Sequence, residues 1–284
     1  MLKKRIAFIG AGAMGEAVIA GALRKKLVRP SDLIASAPRA ERLAELQRKY
    51  DIQTTTSNSA AVQRADVVVI AVKPQRLSEV MRGLKGIKSE ALVISVVAGA
   101  SLKKLTAGLK HKAVVRSMPN TPARIGEGIA VWTASHETSS AQRELARQIL
   151  EALGEQVLVE DELYLDMATA LSGNGPAYVF LFMEALIDAG VHMGFPRRIA
   201  EALVLQTVKG SADFYQRAGL HPAALRDQVT SPGGTSAEAL YYLEKAGFRS
   251  AISRAVWAAY QRSLELGKEK PVHIPASNPD EPAG

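Results

Sequence analysis

Three glycines carry the clearest chemical signal in the sequence. They stand at positions 10, 12 and 15 of Ile6-Ala-Phe-Ile-Gly-Ala-Gly-Ala-Met-Gly15, giving the pattern G-x-G-x-x-G between an apolar run and a helical one. The first glycine permits a tight turn, the second lets a pyrophosphate approach backbone N–H groups, and the third lets the helix pack closely on the strand. The phosphates would lie at a helix N-terminus, which favours negative charge. We therefore predict a dinucleotide site formed by Ile9, Gly10, Ala11, Gly12, Ala13, Met14 and Gly15.

The residues expected near the adenosine ribose favour a phosphorylated cofactor. NAD-preferring sites place an acidic side chain about 20 residues after the glycines, where it accepts hydrogen bonds from the ribose 2′-OH. Here the segment reads Ile34-Ala-Ser36-Ala-Pro-Arg39, with Arg42 close behind and no carboxylate among them. A hydroxyl and arginines would bind a 2′-phosphate, so we expect Ser36 and Arg39 to contact it, with NADPH preferred and NADH as the alternative. A second interpretation is that Ser36 and Arg39 merely start the next helix.

The elements that must position these residues alternate along the first part of the chain. Strands are predicted at 5–9, 33–36, 67–72, 92–96, 113–116, 129–132 and 156–159, and helices at 14–26, 40–49, 77–84 and 140–153. This alternation is typical of an α/β fold with a Rossmann-type, mostly parallel sheet and helices on both faces. From residue 162 onward, apolar residues recur at helical spacing, at 176–193, 196–216, 236–245 and 248–266. We predict a dinucleotide-binding domain at 1–160, an all-helical C-terminal domain at 161–270 and a disordered tail at 271–284.

The predicted helix that follows Pro176 is apolar on nearly every side. It contains Tyr178, Val179, Phe180, Leu181, Phe182, Met183, Leu186 and Ile187. One small helical bundle can hardly cover so much apolar surface, so we expect contacts between subunits, in a dimer or an assembly of dimers. The alternative is a central core helix within one subunit.

Composition narrows the class of protein further. Hydrophobic residues make up 47% of the chain and charged residues 23%, which is ordinary for a folded globular protein. Residues 1–160 hold 25 Lys and Arg against 14 Asp and Glu, which suits a small polyanion, although solvated helix faces would give the same excess. Interleaved aromatic and arginine runs are absent, and no apolar run reaches the roughly 20 residues that a bilayer needs. We predict a soluble cytoplasmic protein without nucleic-acid, membrane or metal binding; the chain has no cysteine.

Four further motifs, in order, give the sequence a family resemblance. They are Ala71-Val-Lys73-Pro74, Ser117-Met-Pro-Asn120-Thr-Pro122, Ser172-Gly-Asn-Gly-Pro-Ala-Tyr178 and Ser231-Pro-Gly-Gly-Thr-Ser236. Together they closely resemble pyrroline-5-carboxylate reductase over residues 4 to 266. The resemblance implies reduction of 1-pyrroline-5-carboxylate to L-proline by NAD(P)H, the final step of proline biosynthesis, in a homo-oligomer whose helical domains interlock. It also implies that Asn58 touches the cofactor, although an Asx turn would explain that residue as well.

The ends of the predicted strands supply more cofactor contacts. In an open parallel sheet, ligands lie at the carboxyl ends of the strands. We therefore expect the cofactor to run along Ala71, Val72, Lys73 and Pro74, and its nicotinamide half to lie near Ala98, Gly99 and Asn120. For Lys73, a solvated charge at a strand end is the alternative.

The last motif is the candidate substrate site. Gly233 and Gly234 would let backbone N–H groups face the substrate carboxylate at a helix N-terminus, beside Val229 and Ser231. Ser236 would place its hydroxyl near the ring nitrogen, although the family usually has threonine there, and threonine's methyl restrains the rotamer. Thr235 is either a substrate contact or a helix N-cap, because Thr235 and Glu238 fit a capping box.

Two other functions compete with this one. Another two-domain NADP-dependent imine or hydroxyacid reductase would need a catalytic lysine in the helical domain, and Lys209 is the candidate, although a solvated helix charge explains it too. A nucleotide-sensing protein without turnover would need the glycine loop alone. The segment Ser231 to Ser236 argues against the sensor, because a sensor needs no second anion site.

Overall fold

The apolar, β-branched runs of the sequence form the strands of one eight-stranded sheet. The computed structural model describes residues 1–267, so the tail predicted at 271–284 lies outside the described residues. The strands are β1 (Ile6–Ile9), β2 (Leu33–Ser36), β3 (Gln53–Thr55), β4 (Val67–Ile70), β5 (Leu92–Ser95), β6 (Val114–Pro119), β7 (Gly128–Ala134) and β8 (Gly154–Leu158). Their order is β3-β2-β1-β4-β5-β6-β7-β8, and every neighbouring pair is parallel except β6 with β7. The predicted mostly parallel sheet is confirmed.

Helices cover both faces of this sheet. They are α1 (Ala13–Arg24), α2 (Ala40–Tyr50), α3 (Asn58–Val62), α4 (Pro74–Gly83), α5 (Leu102–Leu109) and α6 (Ser140–Glu151). Because side chains alternate along a strand, Ile6 and Phe8 of β1 pack with α1, α2 and α6, whereas Ala7 and Ile9 pack with α3, α4 and α5. Both faces of the central strands are therefore buried, which explains why these strands read as continuous apolar runs.

The differences from the predicted elements have local causes. β3 was not predicted because it has three residues, all polar, at the edge of the sheet. α3, with five residues, is too short to show helical periodicity. β4 ends at Ile70 rather than Val72, and α4 starts at Pro74 rather than Leu77, since proline fits the first turn of a helix.

The remaining chain is helical, as predicted. The elements are α7 (Leu163–Ala168), a π-helical turn (Thr169–Gly173), α8 (Gly175–His192), α9 (Arg197–Ala218), α10 (Pro222–Gln228), α11 (Thr235–Lys245) and α12 (Phe248–Gly267). By packing, residues 1–173 and 259–267 form one compact unit, and residues 174–258 form a second. In this division α7 and the end of α12 belong to the first unit. The predicted domain boundary between residues 160 and 161 stays a prediction.

The second unit exposes a large apolar surface. Phe180 is 62% exposed and Leu181 66% exposed, and Gly190 is the one buried residue of α8. Further exposed apolar side chains lie on α9, α11 and α12, namely Leu203, Phe214, Tyr241, Tyr242 and Trp257. A single chain therefore leaves this surface in contact with water, which is unfavourable unless another molecule covers it. Within residues 1–267, no helix is long and apolar enough to cross a membrane.

Candidate functional site

A cleft of about 590 Å³ lies where the carboxyl ends of β1 to β4 meet. Because these strands are parallel, the loops that follow them converge on one edge of the sheet. The sheet order reverses between β1 and β4, and such a switch point is where open α/β sheets bind ligands. Nine residues predicted to bind the cofactor line this cleft, namely Gly10, Ala11, Gly12, Ser36, Arg39, Asn58, Ala71, Val72 and Lys73.

The three motif glycines have three different surroundings. Gly10 has φ +94°, and a Cβ there would lie 2.7 Å from the Ala71 carbonyl oxygen, so a side chain is excluded twice. A Cβ on Gly15 would collide with the Gly10 carbonyl oxygen. A Cβ on Gly12 would meet no protein atom within 4 Å. Protein packing thus explains Gly10 and Gly15, while the free space at Gly12 fits an approaching phosphate.

The N-terminus of α1 has the features of an anion-binding site. Gly12 is its N-cap residue and offers no side chain to the first N–H groups, and Ala13 is exposed. These unpaired donors and the helix dipole favour a phosphate at this position. Ile9 is fully buried at the end of β1, and Met14 and Gly15 do not line the cleft. Their contact with the cofactor stays a prediction.

Ser36 and Asn58 form a pair in the wall of the cleft. Ser36 is fully buried and its Oγ donates to Asn58 Oδ1 at 2.6 Å. Asn58 does not form the Asx turn that was the alternative; instead Ser57 Oγ accepts the Ala60 N–H and caps α3. Ser36 ends β2 rather than starting a helix, and Arg39 is the exposed residue before α2. Arg39 thus presents a cation on this side of the cleft, while the Ser36 hydroxyl is directed at Asn58.

An ionic cluster supports the glycine loop from behind, and the glycine pattern does not reveal it. Arg42 Nε donates to the Ala11 carbonyl at 2.9 Å, and Arg42 also pairs with Glu16 and Glu45. Partial burial by itself would raise the pKa of Glu16, but hydrogen bonds from Lys49, Arg42 and Tyr50 lower this pKa to about 2. Arg42 therefore lines the cleft with its guanidinium engaged, and its charge is balanced locally.

The loop after β4 forms the opposite wall. Lys73 is exposed, precedes α4 as its N-cap residue and lines the cleft beside Ala71 and Val72. Arg76 in the first turn of α4 also lines it and pairs with Glu79 at 2.9 Å. Arg76 was not among the predicted residues, although its position shortly after the end of β4, in the first turn of the next helix, was an available signal.

Besides Ile9, Ala13, Met14, Gly15 and Pro74, three predicted cofactor residues farther along the chain do not line the cleft. Ala98 and Gly99 belong to the loop between β5 and α5, and Gly99 has φ +69°. Asn120 follows β6, where its Oδ1 accepts the Ile129 N–H at 3.0 Å and its Nδ2 donates to the Ser172 carbonyl at 3.2 Å. Both polar ends of the Asn120 amide are therefore used within the chain. The cofactor role of these three residues stays a prediction.

The candidate substrate loop lies in the second unit and differs from expectation in two respects. Thr235 is the first residue of α11 and not its N-cap; Gly234 occupies the cap position, without a side-chain hydrogen bond, so the capping-box interpretation is wrong. The Gly234 N–H donates to the Ser231 carbonyl at 3.0 Å and closes a turn, so it does not face a ligand as expected. Gly233, with φ +71°, permits this turn.

Four side chains of this segment are at least partly accessible to solvent. Ser231 and Thr235 are exposed, Ser236 is half-buried in the first turn of α11, and Val229 is 68% exposed. The backbone N–H groups of Thr235 and Ser236 belong to the first turn of an 11-residue helix, where no preceding turn supplies acceptors. Lys209, the residue required by the rival reductase, is exposed on α9.

The sheet order, the glycine loop and the cleft define a Rossmann-type dinucleotide-binding protein with a helical second part. Two family models match the chain: pyrroline-5-carboxylate reductase dimerisation over residues 162–266, and NADP oxidoreductase, coenzyme F420-dependent, over residues 5–99. The chain is 43% identical to pyrroline-5-carboxylate reductase of Synechocystis over 265 residues, covering 93% of this chain and 99% of that protein. It is 42% identical to the enzyme of Pseudomonas aeruginosa over 271 residues, covering 95% and 99%. The chain belongs to the pyrroline-5-carboxylate reductase family.

A solved structure agrees with this assignment. The crystal structure of Plasmodium falciparum pyrroline carboxylate reductase with NADP bound has a TM-score of 0.87 and 33% sequence identity. The match covers 94% of this chain and 100% of that chain. The predicted fold class and the family resemblance are therefore confirmed.

Proposed function

We propose that this protein reduces 1-pyrroline-5-carboxylate to L-proline with NAD(P)H, the final step of proline biosynthesis. The observation that carries this proposal is the identity of 43% over nearly the whole length of a pyrroline-5-carboxylate reductase. The intact cleft and the loop from Ser231 to Ser236 support it. When bound, the nicotinamide supplies the hydride that forms the new C–H bond at the imine carbon, and the ring nitrogen takes or already carries a proton.

The cofactor part of the proposal depends on the cleft. The free space at Gly12 and the unpaired N–H groups of α1 suit a pyrophosphate, and the wall formed by Arg39 and Asn58 suits the adenosine ribose. The protein binds a nicotinamide dinucleotide. Its preference for NADPH over NADH is our proposal, supported by the exposed Arg39 and by the absence of a carboxylate at the end of β2.

The substrate part depends on the start of α11. The N–H groups of Thr235 and Ser236 at this helix N-terminus would bind the substrate carboxylate, and the hydroxyl of Ser236 would orient the ring nitrogen. The substrate already reacts readily with hydride when its nitrogen is protonated, so orientation supplies much of the rate. Val229, Ser231 and Gly233 would shape the entrance, with Gly233 and Gly234 holding the turn.

Self-association follows from the dimerisation domain at residues 162–266 and the exposed apolar surface of α8. We also propose that several dimers form a larger assembly and that the protein is cytoplasmic. The boundary between its two domains would lie between residues 160 and 161.

One assay separates this function from its rivals. The oxidation of NADPH is followed by absorbance with 1-pyrroline-5-carboxylate, then with a panel of 2-oxo acids and other cyclic imines, and 3-hydroxy acids are assayed in the reverse direction with NADP⁺. We expect turnover with 1-pyrroline-5-carboxylate and little with the panel. Turnover confined to a hydroxyacid or oxo acid, abolished in Lys209→Ala, would favour the rival reductase. Tight NADPH binding without turnover of any substrate would favour the sensor.

A further inference from the structure

A buried ionic network lies in the first unit, outside the cleft. Arg116 on β6 is 5% exposed, and its guanidinium pairs with Glu162 Oε1 at 2.9 Å and with Asp166 Oδ1 at 3.2 Å. Ser263 on α12 donates its hydroxyl to the same Asp166 oxygen at 2.8 Å. The network thus joins a central strand, the start of α7 and the end of α12.

A network of this kind costs free energy unless every charge is compensated. Replacing a buried ion pair by apolar residues is often neutral or stabilising, whereas removing one partner leaves an uncompensated charge. Stability alone is therefore a weak reason for burying Arg116 with two carboxylates. Its contacts point to a second role, because they end at the loop that precedes α5.

The loop between β5 and α5 is held on two sides by this network. Glu162 Oε1, the oxygen that pairs with Arg116, also accepts the backbone N–H of Leu102, the first residue of α5, at 2.7 Å. On the other side, a Cβ on Gly99 would lie 3.3 Å from the backbone of Leu266 on α12. The loop and the start of α5 therefore lie between Glu162, at the start of α7, and the end of α12. Arg116 reaches the first side through Glu162 and the second through Asp166 and Ser263.

We infer that Arg116 is a positioning residue for this loop and, through it, for the cofactor. The inference rests on the proposed function, in which Ala98 and Gly99 lie along the nicotinamide half of the cofactor. In this role Arg116 acts through Glu162 and Asp166 and not by direct contact with the cofactor. It fixes Glu162 and Asp166, and these hold the loop at the place where hydride transfer requires an accurate distance. Misplacement of a reacting group by about 1 Å can cost two orders of magnitude in rate.

The test compares Arg116→Met with Arg116→Lys in the full-length protein. The NADPH dissociation constant is measured by fluorescence titration, and KM for each reactant and kcat are measured separately. We expect Arg116→Met to raise the Kd and KM for NADPH by about tenfold or more, with KM for the imine changed by less than about twofold. Arg116→Lys keeps the charge and should recover part of the affinity.

Arg143→Met is the matched control. Arg143 is a partly buried arginine that donates to the Thr138 and Ser135 carbonyls, far along the chain from the β5–α5 loop. A purely structural effect lowers the folded fraction, and so kcat per total protein, while the Kd of the folded fraction stays constant. If Arg116→Met and Arg143→Met both lower Tm and neither changes the Kd for NADPH, the inference is overturned.

Two milder variants keep the test decisive if Arg116→Met does not fold. Glu162→Gln retains an acceptor for Leu102 but removes the charge that holds Arg116, and Ser263→Ala removes one hydroxyl. Both variants should raise the Kd for NADPH by about threefold or more. An unchanged Kd in both would overturn the inference. The titration needs no imine substrate. A wild type that binds NADPH without reducing the imine would refute the proposed function alone.

Discussion

The hydroxyl of Ser36 and Oδ1 of Asn58 lie 2.6 Å apart, in a hydrogen bond that joins the end of β2 to the first turn of α3. Because the amide oxygen of Asn58 accepts this bond, its Nδ2 group is the end left to donate toward a ligand. Ser36 therefore orients Asn58 from inside the cleft wall, and in the NADPH site that we propose, Arg39 would be the chief contact for the 2′-phosphate.

Replacing Ser36 with alanine tests this relationship. Loss of one neutral hydrogen bond costs about 1 kcal/mol, so Ser36→Ala should lower the affinity for NADPH and for NADH alike, by about three- to tenfold. Fluorescence titration with both cofactors measures this. Ser135→Ala, a buried hydrogen-bonded serine away from the cleft, is the control. Weakening of NADPH alone would instead mean that Ser36 contacts the 2′-phosphate.

Reversing the charge of Arg39 should change cofactor selectivity. Hydrogen bonds to charged groups contribute about 1.5–3 kcal/mol. Arg39→Asp should therefore lower the affinity for NADPH by about one to two orders of magnitude and the affinity for NADH much less. Competitive titration gives the ratio. Arg48→Asp, at an exposed position in the last turn of α2, controls for net charge. Equal affinity of the wild type for both cofactors, or equal effects of the two variants, would contradict the assignment.

The hydroxyl of Ser236 should matter for substrate and not for cofactor. We expect Ser236→Ala to lower kcat/KM by about one to two orders of magnitude, with NADPH affinity nearly unchanged. Thr235→Ala is the neighbouring control; because Thr235 caps no helix, its Tm should stay close to that of the wild type. A loss of activity in Thr235→Ala and not in Ser236→Ala would transfer the contact to Thr235.

The ionic cluster at Glu16 predicts a pH-dependent contribution to stability. Its pKa is lowered from 4.5 to about 2 in the folded protein, so the stabilisation is present above about pH 4.5 and is lost as the pH falls toward 2. With the side chain 18% exposed, we expect Glu16→Gln to cost about 1–3 kcal/mol of unfolding free energy at pH 7.

Urea unfolding at several pH values measures this contribution. The difference between wild type and Glu16→Gln should shrink between pH 4.5 and pH 2. Glu45→Gln removes the other carboxylate on Arg42, one that is 56% exposed, and should have a small effect. A difference that stays constant with pH would show that Glu16 acts through packing and not through its charge.

A lysine in the exposed apolar surface of α8 should prevent self-association. Phe180 is 62% exposed within one chain, and a charge at that position would oppose burial in a subunit interface. We expect Phe180→Lys to give monomer or aggregate by light scattering. Ile125→Lys, at an exposed apolar position of the first unit, should leave the assembly unchanged. A monomeric wild type at low concentration would refute the interface.

The sequence by itself determined the fold class and the position of the cofactor loop. Strand β1, the spacing of Gly10, Gly12 and Gly15, and the helix that follows are local features, set by strand periodicity and by the backbone freedom of glycine. The four ordered motifs indicated the family for the same reason, since each is a short contiguous segment.

Only the tertiary structure decided how side chains from distant segments combine. Ser36 and Asn58 are 22 residues apart, and Arg116 and Asp166 are 50 apart, so no periodicity along the chain predicts their contacts. The first turn of α11 shows the same limit at short range. Thr235 and Glu238 fit a capping box in sequence, but the turn closed by Ser231 and Gly234 starts the helix one residue earlier than a Thr235 cap would allow. Hydrogen bonds depend on where the backbone places donors and acceptors, and packing of the whole chain fixes that placement.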